Sequence, residues 1–248
     1  MKQENSRAWD DSLRRILVVD SDKSFRSAAV REGSGRSYQV WGAGSGEEAL
    51  GQFDSKRAAV TVLAVDLPDI SGLEVCRCLR QRQPQVLIIF TSSNKSEDEM
   101  AIGLEAGGDD YLFKPLSAQE LMTRVEAHLH RRRLNSSSLY RRLEFGELSI
   151  DIGERRLLKA NQEVELTSIE FDILAILADR AGEVISRERI MNLAWGYQYP
   201  IDSRVVDVHI RNLRRKIEAE PSQPTHIVAA PGIGYRLADA FVSTSVRP

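Results

Sequence analysis

The chain has few cysteines and no long apolar run. Only two cysteines occur among its 248 residues, and Cys76 and Cys78 lie too close together on a predicted helix to bridge easily. This excludes a disulfide-stapled secreted domain and favours a reducing compartment. No apolar run approaches the roughly 18 residues that a membrane-spanning helix needs. The polar start, MKQENSRAWDDSLRR, lacks the apolar segment of a signal peptide, so we expect a cytoplasmic protein with no membrane partner.

The charge is small overall but unevenly distributed along the chain. The formal net charge is −2 at pH 7, with −4 in residues 1–130 and +2 in residues 131–248. A chain of this length can hold two domains of ordinary size. An acidic N-terminal half and a mildly basic C-terminal half indicate two different roles, with any polyanionic partner bound by the C-terminal half.

The first 130 residues alternate short apolar runs with amphipathic segments. The runs RILVVD, VTVLAV and VLIIF are β-branched and continuous, as in strands that are buried on both faces. YQVWGA and DYLFKP predict two further strands. Helices are predicted between the strands at 22–31, 45–53, 71–82, 96–106 and 117–132, and Ser45 with Glu48 predicts a capping box. This alternation predicts an α/β fold with a doubly wound, five-stranded parallel sheet.

The second half has a different pattern. Residues 130–142, HRRRLNSSSLYRR, are basic and then serine-rich, which predicts a linker. Small antiparallel strands follow, and Thr167 with Glu170 predicts the capping box of a helix. Three helices are predicted over 167–182, 186–195 and about 203–219. THIVAAPGIGYRLAD then predicts two strands joined by a tight turn, so we expect an α+β winged helix-turn-helix domain.

The third of these helices has an apolar stripe and a basic face. The stripe has helical spacing and consists of Val206, Ile210, Leu213 and Ile217. Arg204, Arg211 and Arg215 lie on the opposite side, with His209 and Asn212 on the flanks. A basic face of this kind can be an ordinary solvated surface. Because it occurs together with a helix-turn-helix layout and a terminal wing, we interpret it as a DNA-binding surface.

The motifs of the whole chain resemble those of OmpR/PhoB-type response regulators. In the first half they are ILVVDSD, LPDISGLEVCRCLR, IIFTSS and GLEAGGDDYLFKPL; in the second they are VELTSIEFDILAIL, VISRERIMNLAWGY, DSRVVDVHIRNLRRKIE and PGIGYRL. The resemblance implies a CheY-like (flavodoxin-like) receiver before the winged-helix domain. The expected divisions are an N-terminal extension at 1–13, a receiver at 14–130, a linker at 131–142, a DNA-binding domain at 143–240 and a C-terminal tail at 241–248.

The resemblance also implies a phosphoacceptor Asp at the end of the third strand, four residues before the Pro of the LP motif. Counting back from Pro68 gives Ala64, and counting forward fourteen residues from Leu50 gives Ala64 again. Asp66 lies two residues later, and making it the acceptor would require a deletion of two loop residues. Because alanine has no nucleophilic oxygen, it cannot form an acyl phosphate, and we expect a receiver that is not phosphorylated.

The rest of this pocket is only partly retained. The family's acidic pair corresponds to Asp20 and Ser21, so one expected Mg²⁺ ligand has become a hydroxyl, and no metal or cofactor is expected. Thr91 and Lys114 match the family's switch hydroxyl and lysine, and Tyr111 matches its rotating aromatic residue. These three side chains are either a relic switch locked in one state or structural residues. In the structural interpretation Lys114 pairs with Asp20 or Asp66, and Asp22 caps the following helix.

The resemblance further implies dimerisation through the fourth helix, fifth strand and fifth helix. The residues that match the charged set of this interface are Asp109, Asp110, Glu120 and Arg124. Met100 stands where a basic partner is typical, so one bridge of the interface is expected to be lost. Surface ion pairs contribute only about 0–1 kcal/mol each, and the apolar part of the face can still support a homodimer.

The residues that match DNA-contacting positions lie in the third helix and the wing. They are Arg204, His209, Arg211, Asn212, Arg214, Arg215, Gly232, Gly234 and Tyr235. Asn212 replaces a frequent Arg, which predicts that it reads adenine rather than guanine. Pro231 replaces the wing Arg that commonly enters the minor groove, while Gly232 and Gly234 keep the turn.

The chain is therefore expected to be a transcription regulator that binds double-stranded DNA on tandem half-sites, as a homodimer, with RNA polymerase as a further partner. An alternative within the family is control by a small molecule that binds the altered pocket in place of phosphate. An enzyme centred on Asp66 is a different possibility, but no second nucleophile, metal cluster or phosphate loop supports it. A protein-interaction module that no longer binds DNA is a fourth, and the retained basic helix argues against it.

Overall fold

The computed structural model describes residues 13–136, 141–196, 204–238 and 243–246. The chain divides into two compact units, Met1–Glu126 and Ala127–Pro248. Residues 1–12 of the predicted N-terminal extension and 137–140 of the predicted linker lie outside the described residues. Among the described residues, no helix is long and apolar enough to cross a membrane.

The first unit is built around a five-stranded sheet in the order β2-β1-β3-β4-β5. Its strands are β1 (Arg15–Val19), β2 (Gln39–Ala43), β3 (Val60–Ala64), β4 (Leu87–Ser92) and β5 (Asp110–Phe113). The helices that alternate with them are α1 (Lys23–Gly35), α2 (Gly46–Lys56), α3 (Gly72–Arg82), α4 (Glu97–Glu105) and α5 (Ala118–Ser136). All four strand pairings are parallel, which confirms the predicted doubly wound fold.

The apolar runs of the sequence form the core of this sheet. β3 and β4 are buried along their whole length, as expected of strands whose two faces are both covered by helices. The first residue of α3 packs directly against the last residue of β3. A Cβ atom at Gly72 would lie 2.1 Å from the carbonyl oxygen of Ala64. Only glycine therefore fits at the start of α3, and this contact fixes the chain immediately after the end of β3.

Several helices of the first unit have a side-chain cap at their N-terminus. The Asp22 carboxylate accepts hydrogen bonds from the backbone amides of Ser24 and Phe25, which confirms Asp22 as the cap of α1. Ser45 caps α2 as predicted, but the Glu48 carboxylate binds the amide of Gly44 at 2.6 Å. The predicted capping box is therefore shifted by one residue. Gly44 follows the last residue of β2, so its amide lies outside the strand ladder and needs another acceptor.

Beyond the end of α5, the described residues of the second unit form two antiparallel sheets and three helices. One sheet has the order β13-β6-β7-β8-β9, with β6 (Arg141–Phe145), β7 (Leu148–Asp151), β8 (Arg156–Lys159), β9 (Gln162–Val164) and β13 (Ser243–Val246). The other has the order β10-β12-β11, with β10 (Ile185–Ser186), β11 (Ile227–Ala230) and β12 (Gly234–Leu237). The helices are α6 (Ser168–Asp179), α7 (Arg187–Ala194) and α8 (Val205–Ile217).

This arrangement confirms the predicted winged helix-turn-helix domain. Thr167 and Glu170 form the capping box of α6, and the β11–β12 hairpin is antiparallel with Ala230 opposite Gly234. The α6 helix is buried almost all round, which places it in the centre of the domain, whereas α8 buries only one side. The hairpin is the wing, and α8 is the helix that carries the exposed arginines.

Two predicted segments differ from the structure. The predicted linker begins inside a helix, because α5 continues through the basic run to Ser136; arginine is a good helix former, so this run does not end the helix. The predicted C-terminal tail includes a strand, since Ser243–Val246 pairs with β6. The outer edge of β6 would otherwise expose an unpaired row of backbone groups, and β13 covers it.

Candidate functional site

Four of the six residues predicted for the phosphorylation pocket meet at the carboxyl end of the first unit's sheet. Asp20 directly follows β1, and Ala64 is the last residue of β3. Ala64 lies opposite Thr91 of β4 in the strand register, and Lys114 directly follows β5. We refer to Asp20, Ala64, Thr91 and Lys114 as the receiver pocket. In parallel sheets this edge is where ligands and chemistry gather.

Lys114 and Asp20 form an ion pair within this pocket. The Lys114 Nζ atom donates to Oδ2 of Asp20 at 2.7 Å, and the other carboxylate oxygen accepts the backbone amide of Asp22 at 3.0 Å. The Asp20 side chain is buried, so its charge depends on these two partners. Lys114 also lies over the ring of Phe25, 5.0 Å from its centroid. These contacts agree with the structural interpretation of Lys114.

Ala64 occupies the buried strand end, and Asp66 lies outside it. Ala64 is 4% exposed, and the strand ladder ends one residue later, where the amide of Val65 donates to the carbonyl of Thr91 at 3.0 Å. Asp66 is exposed in the loop beyond, and Ser21 is exposed as well. Within the described ranges, no three His, Cys, Asp or Glu side chains are grouped so that they could hold a metal ion.

Tyr111 points into the first unit and is held there by Glu99. The Tyr111 hydroxyl donates to Oε2 of Glu99 at 3.1 Å, and the same oxygen accepts the hydroxyl of Ser92 at 3.0 Å. Burial raises the pKa of Tyr111 to about 12, so the hydroxyl is a neutral donor at pH 7. Gly103 leaves room for the ring, since a Cβ atom there would lie 3.0 Å from Cε2 of Tyr111.

The partnership of Glu99 with Tyr111 could not be predicted from the sequence. Glu97, Asp98 and Glu99 form an acidic first turn of α4, and nothing in the sequence distinguishes the third of them. The Thr91 hydroxyl, which was expected to act with Tyr111, has no hydrogen-bond partner among the residues that the structure describes. The Glu99 carboxylate that binds Tyr111 is therefore shared with the hydroxyl of Ser92 and not with that of Thr91.

The prediction that Asp109 and Asp110 form part of a dimer surface is corrected by the structure. Asp109 is fully buried; its carboxylate accepts from Arg80 at 2.5 Å and from the backbone amide of Ile88 at 2.8 Å. Asp110 is also fully buried, and its carboxylate accepts the amide of Tyr111 at 2.7 Å. Both charges are satisfied inside the chain, so neither can pair across a two-fold axis in this form.

The other two predicted dimer residues lie on α5. Glu120 is exposed and Arg124 is partly exposed. The surface available for charge pairing is therefore smaller than the one that the sequence predicted. Ile102 of α4 is a large apolar side chain that is also exposed, so this face keeps an apolar component.

The recognition helix α8 has the two faces that the sequence predicted. Its apolar stripe of Val206, Ile210, Leu213 and Ile217 is buried. Arg204 lies at the helix start, and Arg204, Arg211 and Arg215 are exposed. Three guanidinium groups on one side of an anchored helix provide the fork-shaped donors that suit phosphates and guanine edges.

The prediction that His209 and Asn212 contact DNA is corrected by the structure, because both side chains are buried. His209 is 1% exposed and packs against Trp195 with ring centroids 5.4 Å apart. Asn212 is 8% exposed, so its amide is not presented to a base edge in this form. Both residues flank the apolar stripe closely enough to be covered by neighbouring elements, which a helical projection of the sequence alone cannot show.

Arg214 and Lys216 are basic residues of α8 that bind within the protein. Arg214 donates through Nε and Nη2 to the carbonyl oxygen of Ile227, at 3.0 and 2.7 Å. Lys216 donates to the carboxylate of Glu170 at 2.6 Å. Arg214 and Lys216 therefore anchor α8 to neighbouring elements, whereas the N-cap residue Arg204 and the helix residues Arg211 and Arg215 form its exposed basic face.

The wing ends in a turn without a basic side chain. Pro231, Gly232 and Ile233 form the turn between β11 and β12, and Gly232 has a φ of +73°. Gly234 must be glycine, because a Cβ atom there would lie 2.0 Å from the carbonyl oxygen of Ile185. Ile233 is 58% exposed, so the wing tip presents an apolar surface. Gly232 and Gly234 shape the wing through the backbone.

Tyr235 of the wing is buried, contrary to its predicted role as a DNA contact. It is 5% exposed, and its hydroxyl donates to Oδ1 of Asp207 at 2.7 Å. Burial and the neighbouring Asp207 raise the pKa of this phenol. The hydroxyl is therefore a neutral donor that is already used inside the protein.

Comparison with known proteins assigns a family to each half of the chain. Residues 16–126 match the response regulator receiver domain, and residues 161–237 match the C-terminal domain of transcriptional regulatory proteins. The DNA-binding response regulator MtrA of Mycolicibacterium smegmatis is 33% identical over 227 residues, covering 92% of this chain and 98% of MtrA. A probable transcriptional regulator, ycf27 of Cyanophora paradoxa, is 39% identical over 228 residues, covering 90% and 95% of the two chains.

A solved structure of a RitR mutant shares the fold of the whole chain. It has a TM-score of 0.75 and 24% sequence identity, and the match covers 91% of this chain and 99% of that one. In this chain the receiver match precedes the match to the transcriptional regulatory domain, and the MtrA relative aligns over nearly its whole length. The chain belongs to the OmpR/PhoB family of DNA-binding response regulators.

Proposed function

We propose that this response regulator controls transcription by sequence-specific DNA binding that does not depend on phosphorylation of its receiver. The observation that carries the proposal is Ala64 at the end of β3, opposite Thr91. A methyl group cannot attack a phosphodonor, because acyl phosphate formation needs a carboxylate oxygen. No enzymatic activity is proposed.

The remaining groups near Ala64 support the same conclusion. Lys114 is paired with Asp20 at 2.7 Å, so its ammonium group would have to leave Asp20 in order to bind an incoming phosphoryl group. Asp66 is exposed beyond the end of the strand ladder, outside the buried position that Ala64 occupies. Ser21 offers Mg²⁺ only a hydroxyl, which is a weaker ligand than a carboxylate for this hard cation.

The proposed DNA surface consists of Arg204, Arg211 and Arg215 on α8, with the wing beside it. Helix-turn-helix domains place the second helix of the motif in the major groove, and exposed arginines there bind phosphates and base edges. We further propose a homodimer on tandem half-sites in the cytoplasm, with RNA polymerase as a partner. The apolar exposure of Ile102 supports a receiver contact that does not rely on Asp109 or Asp110.

Selection of bound sequences from a random DNA pool tests this proposal. The full chain, without any phosphodonor, should enrich a site of two direct repeats, and sedimentation should show two chains on each selected duplex. Addition of acetyl phosphate and Mg²⁺ should leave the affinity for that duplex unchanged. A pool without enrichment would contradict sequence-specific binding, and enrichment only in the presence of acetyl phosphate would contradict independence from phosphorylation.

A second candidate is control by a small molecule that binds the receiver pocket. The observation that favours it is the buried Thr91 hydroxyl, which lies beside Ala64 and has no hydrogen-bond partner in the described parts of the chain. Such a ligand should raise the melting temperature of the parent protein and have a smaller effect on Thr91→Val. A metabolite screen by thermal shift with both proteins tests this candidate, and an equal shift of the two proteins would contradict it.

A further inference from the structure

Three elements of the DNA-binding domain meet at the hydroxyl of Tyr235. Tyr235 lies on β12 of the wing, Asp207 in the first turn of α8, and Arg187 at the start of α7. Oδ1 of Asp207 accepts from the Tyr235 hydroxyl and from Nε of Arg187, both at 2.7 Å. Nη2 of Arg187 also donates to the Tyr235 oxygen at 3.3 Å. We call these three residues the wing junction.

The guanidinium groups of two arginines lie close to the ring of Tyr235. The guanidinium carbon of Arg187 lies 4.9 Å from the ring centroid, and that of Arg214 lies 5.6 Å from it. Arg214 also binds the carbonyl oxygen of Ile227 in β11, so the helix α8 contacts both strands of the wing. The backbone at Gly234 lies directly against Ile185 of β10, which keeps the base of the wing close to α7.

These contacts fix the direction of the wing relative to α8. The wing tip exposes Ile233, and α8 exposes its arginines on the adjacent side of the same domain. Both surfaces can contact one duplex only if the angle between helix and hairpin is maintained. We propose that the Tyr235 hydroxyl is a positioning group: through Asp207 and Arg187 it orients the wing so that the wing tip and α8 engage DNA together.

The burial of Tyr235 distinguishes this role from a direct contact with DNA. The side chain is 5% exposed, and its hydroxyl donates a hydrogen bond to a carboxylate that belongs to α8. A phosphate would have to displace Asp207 to reach it. The inference rests on the proposed DNA binding and adds to it a residue that acts through the wing without touching the nucleic acid.

The test uses the full chain, the duplex that the parent selects, and the variant Tyr235→Phe. This variant keeps the ring beside the two guanidinium groups and removes the hydrogen bond to Asp207. We expect affinity to fall about tenfold, the size associated with removal of a hydrogen bond to a charged group, because the wing must then be ordered during binding. Footprinting should show weaker protection by the wing and unchanged protection by α8. Tyr38→Phe in the first unit is the matched control and should bind like the parent.

Double-mutant cycles separate positioning from the alternatives. The effect of Tyr235→Phe should largely disappear in an Ile233→Ala background, where the wing tip no longer presents its apolar side chain to DNA. It should persist in an Arg211→Ala background. Additivity with both changes would indicate a direct contact and overturn the proposal, and so would a large fall in melting temperature that accounts for the weaker binding.

The two levels of the proposal fail in different ways. A parent protein that binds no selected duplex overturns the proposed function and this inference with it. A parent that binds, with Tyr235→Phe binding equally well and giving the same footprint, overturns the inference alone.

Discussion

The Lys114 ammonium and the Asp20 carboxylate form an ion pair at the carboxyl end of the receiver sheet. The Asp20 carboxylate is buried, and its two oxygens are used by the Lys114 ammonium and the amide of Asp22. Removal of one partner from a buried charged group leaves a desolvated acceptor without compensation. Lys114 therefore has a structural role here that does not require phosphate, and that role can be measured.

We expect Lys114→Met to lower the free energy of unfolding by about 1–3 kcal/mol, because Asp20 keeps its burial and loses its cation. Urea unfolding of the full chain measures this change. DNA affinity should stay the same, since the residue acts within the first unit. Lys95→Met, at an exposed position in the same unit, is the control for the removal of a charge. Unchanged stability with altered DNA affinity would instead support a relic switch.

Removal of the single charge at Arg211 tests whether helix α8 contacts DNA. Removal of one phosphate-binding side chain should lower the slope of log affinity against log salt by about one unit, and Arg211→Ala should weaken binding across sequences. Arg82→Ala in the first unit removes the same charge and should leave the salt slope unchanged. An Arg211→Ala variant with the salt slope of the parent would remove this arginine from the DNA surface.

At the scale of single elements, the start of α2 depends on a carboxylate from another loop. The two oxygens of Asp69 accept the amides of Gly46 and Glu47, both at 2.8 Å. The hydrogen bond from Glu47, reinforced by that from Gly46, holds the pKa of Asp69 well below its usual range. The charged form of Asp69 is therefore favoured in the folded chain, where it satisfies two amides at a helix start.

The pH dependence of stability follows from this lowered pKa. The stabilisation is fully present above the unfolded pKa of about 4 and is lost as the pH falls through the lower pKa of the folded state. The difference in free energy of unfolding between the parent and Asp69→Asn should be constant near neutral pH and shrink below about pH 4. Asp98→Asn is the control for net charge. A difference that grows as the pH falls would contradict this account.

Helix α3 forms two ion pairs, one with a buried carboxylate and one with an exposed carboxylate. Arg80 contacts the fully buried Asp109 at 2.5 Å, whereas Arg82 contacts the exposed Asp54 at 3.0 Å. We expect Arg80→Ala to destabilise the first unit by about 3–5 kcal/mol, because it leaves a buried charge unpaired. Arg82→Ala is the matched control and should cost at most about 1 kcal/mol. Equal losses in urea unfolding would contradict a structural role for Asp109.

The helices and strands were predictable where local patterns determine them. The apolar periodicity of α8, the caps at Asp22 and Thr167, and the continuous runs of the parallel strands all depend on residues close in sequence. The partners of Asp109 and Tyr235 were not predictable, because they come from distant segments of the chain. For the same reason the sequence did not show that Ser243–Val246 pairs with β6.

At the scale of the whole molecule, the chain joins two units with different kinds of sites. In the first unit, we propose that the methyl group of Ala64 occupies the phosphoacceptor position, and the nearby Lys114 and Asp20 side chains are paired. In the second unit, α8 keeps exposed arginines and the wing keeps its anchoring contacts. On this proposal the phosphorylation chemistry of the receiver is lost, whereas the exposed arginines and the wing of the DNA-binding domain are retained.

The most direct test is the intact mass of the full chain after incubation with acetyl phosphate and Mg²⁺, with its DNA affinity measured on the same sample. A phosphorylatable receiver in the same tube shows that the donor is active. The account predicts an unchanged mass and the same affinity for the selected duplex before and after treatment. The addition of one phosphoryl group, abolished by Asp66→Asn and accompanied by a change in affinity, would contradict it.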